Sequence, residues 1–195
     1  MKKTLVLILA IAIAYKANAQ VQFGVKAGYN RTTLNYSGPG INTLGPKSDF
    51  NAGAFVSIPI FNSFFLQPEL QYSGQGAGYT DSIPESNYNN YLNIPVLFKY
   101  QHSSGLFAET GPQIGVLLSA QVKTDTQSFD SKSGMASTDF SWDFGLGYKI
   151  PVVNLGIDIR YNLGLTNVFT SNYYTGSANN SVFQIDLFYQ FRKLL

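Results

Sequence analysis

The chain has no cysteine, one histidine and one tryptophan, and only 12% of its 195 residues are charged. Without cysteine there is no disulfide framework, no thiolate metal site and no lipid-anchored N-terminal cysteine. With His102 alone and no acidic loop of EF-hand spacing, a metal centre is not expected, and no motif calls for a cofactor. Asp125 and Asp130 are separated by mostly polar residues and read as solvated loop carboxylates. Beyond the first residues no apolar run approaches the roughly 20 residues of a helical membrane span. Nor is there a basic cluster of the kind that meets nucleic acid.

What is present begins with a leader. Met1-Lys2-Lys3 is a short basic region, Thr4 to Ala14 is apolar, and Ala17-Asn18-Ala19 has the small-x-small pattern of a cleavage site. Residues 1–19 are therefore expected to be a cleaved signal peptide, and residues 20–195 a single domain. The leader holds Lys2, Lys3 and Lys16, so the whole-chain charge of +2 becomes about −1 for the remainder.

From residue 21 to residue 191 one pattern recurs eight times: a stretch alternating apolar with polar or glycine, then a break. The first stretch sets Val21, Phe23, Val25, Ala27 and Tyr29 against Gln22, Gly24, Lys26, Gly28 and Asn30. The seventh sets Val153, Leu155, Ile157, Ile159, Tyr161 and Leu163 against Asn154, Asp158, Arg160 and Asn162. A period of two is a strand signal, because a helix needs apolar positions at every third or fourth residue. The breaks alternate. Short ones fall at Asn62-Ser63, Gln101 to Gly105 and Pro151, and long ones over roughly residues 31–49, 75–88, 120–137 and 166–180. The expected fold is an all-β, eight-stranded antiparallel transmembrane β-barrel with short periplasmic turns and long extracellular loops, in the bacterial outer membrane.

A soluble β-sandwich also alternates, but its polar face meets water and carries many Lys and Glu. Here the polar face is rich in Gly, Asn, Gln and Ser, which suits the narrow interior of a small barrel. The apolar face then meets outer-membrane lipid, and it carries no mid-strand charge. Nine charged residues fall on the inward face: Lys26, Glu69, Lys99, Glu109, Asp143, Lys149, Asp158, Arg160 and Asp186. They form either a salt-bridge network that fills the lumen, the favoured reading for so narrow a barrel, or the lining of an ion path. An aromatic girdle is expected from Phe65, Tyr100, Tyr148, Tyr189 and Phe191 at the periplasmic ends and Tyr29, Tyr72, Trp142 and Tyr161 at the outer ends. Pro68, Pro95 and Pro112 fall within strands, where each removes a ladder hydrogen bond, so β-bulges or early strand ends are expected there.

Four segments resemble the PorT-like outer-membrane β-barrel family: Gly24-Val25-Lys26-Ala27-Gly28-Tyr29-Asn30 in the first stretch, Leu66-Gln67-Pro68-Glu69-Leu70-Gln71-Tyr72-Ser73 in the third, Tyr91-Leu92-Asn93-Ile94-Pro95-Val96-Leu97-Phe98-Lys99-Tyr100 in the fourth, and Asp158-Ile159-Arg160-Tyr161-Asn162-Leu163-Gly164-Leu165 in the seventh. The resemblance implies the barrel fold and the outer-membrane address, and it makes Pro68 and Pro95 family-typical. Some members of that family belong to a protein-secretion and gliding apparatus. Phe191 is expected to present the last strand to the barrel-insertion machinery, with Arg192-Lys193-Leu194-Leu195 as a periplasmic overhang.

The expected role is structural or partner-binding, through extracellular loops that contact an envelope or extracellular protein. Loop one contains Ser37-Gly38-Pro39-Gly40, and loop four contains Tyr173-Tyr174-Thr175-Gly176-Ser177. A narrow solute channel is the alternative, and a lipid-modifying enzyme is third. The enzyme reading has only His102 beside Ser103 and Ser104 to draw on, with no third group to complete a catalytic set.

Overall fold

The computed structural model describes residues 21–37, 45–78, 85–124, 126–170 and 176–191. The leader with its cleavage site, Gly38-Pro39-Gly40, Asp125, Tyr173-Tyr174-Thr175 and Arg192-Lys193-Leu194-Leu195 lie outside the described residues.

Among the described residues nine strands follow in chain order: β1 (Gln22–Ser37), β2 (Lys47–Phe61), β3 (Phe64–Ala77), β4 (Glu85–Gln101), β5 (Leu106–Thr124), β6 (Ser128–Asp130), β7 (Thr138–Lys149), β8 (Leu155–Gly164) and β9 (Ser177–Gln190). β6 is a three-residue strand on the flank of β5. The other eight pair antiparallel with their neighbours, and the β9–β1 and β4–β5 ladders close the ring. Closure leaves no strand edge in hydrocarbon, where unpaired backbone groups have no water to bond.

Alternation sets the two faces. On β8, Leu155, Ile157, Ile159, Tyr161 and Leu163 are exposed while Gly156, Asp158, Arg160, Asn162 and Gly164 are buried. The same phase runs around the ring, so the apolar residues form an outer band and the polar residues fill the inside. A one-residue slip in any ladder would exchange these faces, which strongly specifies the register.

The short turns sit as expected, each with a residue in the left-handed region: Asn62 (φ 44°), Gly105 (φ 100°) and Asn154 (φ 59°). Asn154 thus belongs to the turn, and the seventh stretch becomes a strand only from Leu155.

Two expectations need correction. The first concerns the prolines, which produce no bulge and no early end. Pro68 pairs with Val96, Pro95 with Gln113 and Pro112 with Trp142. Beside Pro68 the β3–β4 pairing lapses between Pro68↔Val96 and Gln71↔Asn93, then resumes in the same register. A missing N–H deletes a ladder bond, but proline's fixed φ is compatible with extended chain, so the strand continues. The register shifts lie elsewhere, between Pro59 and Phe61 and between Asn90 and Tyr91.

The second concerns strand length. β1, β4 and β5 have 16, 17 and 19 residues, whereas about 9–11 tilted residues cross a bilayer. The surplus extends outward and takes up much of the sequence expected as loop. Beyond the membrane, β1 still pairs with β9 as far as Ser37↔Ser177, and β4 with β5 as far as Glu85↔Thr124.

The outer mouth holds its own apolar cluster of Leu34, Ala77, Tyr91, Leu117, Ala120, Met135, Val168 and Ala178, with Tyr36 and Phe169 packed against it. A 3-10 turn (Lys132–Gly134) brings Met135 over the opening. Met135 bridges Phe169, with Ala136 N–H donating to the Val168 carbonyl at 2.8 Å and Thr170 N–H to the Gly134 carbonyl at 3.1 Å. The third and fourth loops are thereby tied together. Asp130 has a local task here, its Oδ1 accepting the Lys132 N–H at 2.8 Å.

Candidate functional site in the barrel lumen

All nine inward charges predicted from the alternation lie on the inner face, and eight of them are almost fully buried. Arg160 is central. Its guanidinium donates from Nη1 and Nη2 to the two carboxylate oxygens of Glu69, at 2.9 and 3.0 Å. β8 and β3 stand on opposite sides of the eight-strand ring, so this forked pair crosses the full width of the lumen. Nη2 also donates to Glu109 on β5, and Asp143 Oδ2 lies 3.9 Å from Nη1.

Lys26 forms the second node, with Nζ at 2.9 Å from Asp186, 3.3 Å from Asp158 and 3.8 Å from Glu69. Lys99 lies 3.8 Å from Glu109 and 3.3 Å from Gln67 Oε1. Lys149 stands apart near the turns, half-buried, and donates to Gln190 Oε1 at 2.7 Å.

Three buried cations thus meet five buried carboxylates, and neutral amides supply further donors. Asn51 donates to Asp186 at 2.8 Å, Asn162 to Asp143 at 2.7 Å and Gln67 to Glu69 at 2.8 Å. Such pairing offsets burial, since an isolated buried charge is very costly.

Three phenylalanines on the inward face were not foreseen. Phe55, Phe107 and Phe188 are buried at the periplasmic end of the lumen, Phe188 meeting the other two edge-on at centroid distances of 5.9 and 5.8 Å. Lys99 Nζ sits 3.5 Å from the Phe107 ring centroid. Each ring lies over a glycine that is its cross-strand partner: Phe55 over Gly24, Phe107 over Gly147, Phe188 over Gly156. The sequence signal was present, a large apolar residue at polar parity, but its meaning needs the register that puts a glycine opposite.

Of the girdle residues, Tyr29, Tyr72, Trp142 and Tyr161 sit on the outward face toward the loop end. Tyr100, Tyr148, Tyr189 and Phe191 sit on it toward the turn end. Trp142 Nε1 donates to Thr110 Oγ1 at 2.8 Å, and Tyr29 Oη is 2.6 Å from Ser48 Oγ. Phe65 is the exception. It shares the parity of Gln67 and pairs with Lys99, which puts it on the inward side of the periplasmic rim. The adjacent Phe64 instead stacks on Phe98 and packs at a tilt against Phe61 and Tyr100 on the outer band.

His102 is exposed in its turn, with Nδ1 at 2.9 Å from Ser104 Oγ and 3.2 Å from the Ser104 amide nitrogen. Among the described residues no group of three His, Cys, Asp or Glu is placed to hold a metal ion.

A closed ring with lipid-compatible outside and charged inside is the architecture of an outer-membrane barrel. The outer membrane protein β-barrel domain family matches residues 16–170. The chain belongs to that family, and its location is the bacterial outer membrane. Solved barrels share the fold. The attachment invasion locus protein Ail of Yersinia pestis superposes with a TM-score of 0.50 at 14% identity, over 88% of this chain and 99% of that one. Neisserial surface protein A superposes with a TM-score of 0.59 at 12% identity, again over 88% and 99%. At such identities the likeness concerns the fold alone. No curated protein sequence matches the chain.

Proposed function

We propose that this barrel is a non-conducting, non-enzymatic scaffold of the outer membrane that acts by presenting its extracellular end to an envelope or extracellular protein. The observation that carries this reading is the Arg160–Glu69 pair, which spans the lumen between opposite strands at 2.9 and 3.0 Å. An ion crossing the barrel would have to break that forked, charge-assisted pair and then pass the phenylalanine cluster beneath it. The tied loops above the mouth support the second half of the reading, since a held loop loses less conformational freedom on binding than a free one. The PorT-like branch of the family, signal cleavage after Ala19, and delivery by the insertion machinery through the strand ending at Phe191 complete the proposal. His102, with a serine and backbone as its partners, supplies no catalytic set.

Two experiments test it. Planar-bilayer recording of the purified protein should give closed traces for wild type, and steady conductance changed by Glu69→Gln would establish a channel instead. Mild cross-linking in intact cells should recover a near-stoichiometric protein companion. Its absence in cells and in detergent extracts would leave a stand-alone structural barrel.

A further inference from the structure

The outward face of the barrel carries an open groove of about 530 Å³ toward its periplasmic end. Strand register creates it. Tyr100 of β4, Ala108 of β5, Leu146 of β7 and Ile159 of β8 are successive cross-strand partners on the lipid-facing side. Ala108 is the small member of that row, so a trough opens over β5 between Tyr100 and Leu146. Leu106 and Tyr148, paired two residues nearer the turn in the same β5–β7 ladder, continue its walls. The space reaches the roughly 300–1,000 Å³ of small-molecule sites.

The groove is apolar along its length, and a polar side chain stands at its turn end. This is His102, exposed in the turn between β4 and β5. The Ser104 N–H donates to its Nδ1 at 3.2 Å, with Ser104 Oγ at 2.9 Å. Nδ1 is thus an acceptor and the ring proton sits on Nε2, which makes no hydrogen bond among the described residues. A spare donor therefore stands where the hydrocarbon ends, just beyond Tyr100 and Tyr148 of the turn-end girdle. A second outward groove, of about 410 Å³, opens in the same way over Ala54, between Val25 and Leu70. The polar residue in its lining is Glu69, whose carboxylate is buried and committed to Arg160. That groove offers space for lipid without a donor.

We propose that the groove over Ala108 seats one acyl chain of a phospholipid from the periplasmic leaflet, with His102 Nε2 donating to a phosphate oxygen of its headgroup. A phospholipid carries the two complementary features in the order the groove presents them, an apolar chain toward mid-membrane and an anionic acceptor at the interface. A hydrogen bond to an ionised acceptor is also among the stronger ones. The site lies at the opposite end of the barrel from the extracellular mouth and stands independently of whether the barrel also engages a protein.

The test uses the full-length mature protein in micelles, titrated with dipalmitoyl phosphatidylethanolamine or with dipalmitoylglycerol, which lacks the phosphate. Native mass spectrometry counts the lipid bound to each barrel. The phospholipid should bind saturably, and the dipalmitoylglycerol about five- to tenfold more weakly, the span of one hydrogen bond. His102→Ala should bind both at the weaker level. Ala108→Phe, which fills the groove, should abolish saturable binding, while Ala54→Phe in the second groove should leave it intact. Ala108→Leu serves as a second filling variant should the first fail to give the native circular dichroism spectrum. Uptake that never saturates, or equal losses in the Ala108 and Ala54 variants, would mean ordinary surrounding lipid and would overturn the site. A phospholipid preference that survives His102→Ala would overturn the role of the histidine.

Discussion

Phe55 lies across Gly24, its partner in the β1–β2 ladder, so closely that a Cβ on the glycine would have all three of its nearest neighbours in the Phe55 ring. The two residues share one volume. Gly24→Ala should therefore cost about 1–3 kcal/mol, the usual cost of overpacking. In a Phe55→Ala background the same change should cost almost nothing. A double-mutant cycle in urea, followed by Trp142 fluorescence in lipid vesicles, measures the coupling. Additive effects would show that the ring and the glycine do not compete for space.

Arg160 is the residue whose loss should hurt most. Arg160→Met leaves Glu69 and Glu109 buried without their shared cation, at about 3–5 kcal/mol. Arg160→Lys should recover only part of this, because a lysine cannot reproduce the forked contact with Glu69. Removing the partner as well, in Arg160→Met with Glu69→Met, should regain stability relative to the single variant. Unfolding midpoints in vesicles decide the order, and a single-variant loss below about 1 kcal/mol would contradict it.

The outer band can be tested by depth. Ile159 is exposed in the middle of β8, so Ile159→Arg should destabilise by about 2–4 kcal/mol in a bilayer. Val152, exposed in the turn that precedes β8, should tolerate arginine at about 0–1 kcal/mol. Equal penalties at the two sites would mean that the band does not face lipid.

The mouth and the barrel should come apart under mutation. Val168 is 1% exposed within the outer cluster. A charge there, as in Val168→Asp, should release the bridged loops by local opening and leave the ring folded. Trypsin added to intact cells should then cut after Lys132 faster than in wild type, while the unfolding midpoint of the barrel moves little. Loss of the folded barrel in this variant would show that the mouth cluster and the ring form one cooperative unit.

Much of the barrel was legible along the chain because alternation is a local property. Each strand declares its two faces, and Asn62-Ser63, Gln101 to Gly105 and Pro151 declare the turns. The inward charges were legible for the same reason, since parity alone puts Arg160 and Glu69 on the inner face. Their pairing was not, because it depends on which strands stand opposite once the ring closes. Pro68, Pro95 and Pro112 look like sites of bulges or early strand ends along the chain, since a lost hydrogen bond is visible in the sequence and the continuity of the surrounding ladders is not. Phe65 was misread because one residue of parity separates the two faces, and Phe64 beside it is equally aromatic. The outward extensions of β1, β4 and β5 look like loop along the chain because the membrane pattern reverses there: outward positions such as Arg31, Asn35, Gln121 and Lys123 turn polar, while apolar Leu34 and Ala120 face inward.

The sequence by itself determined the eight strands, their faces and the membrane they cross, because alternation and turn chemistry act over a few residues at a time. Only the tertiary structure decided that Phe55, Phe107 and Phe188 rest on glycines, that Arg160 closes the lumen onto Glu69, and that Met135 and Phe169 join two loops over the mouth. These contacts depend on strand register and ring closure, which bring together residues tens of positions apart and cannot be read from any one stretch.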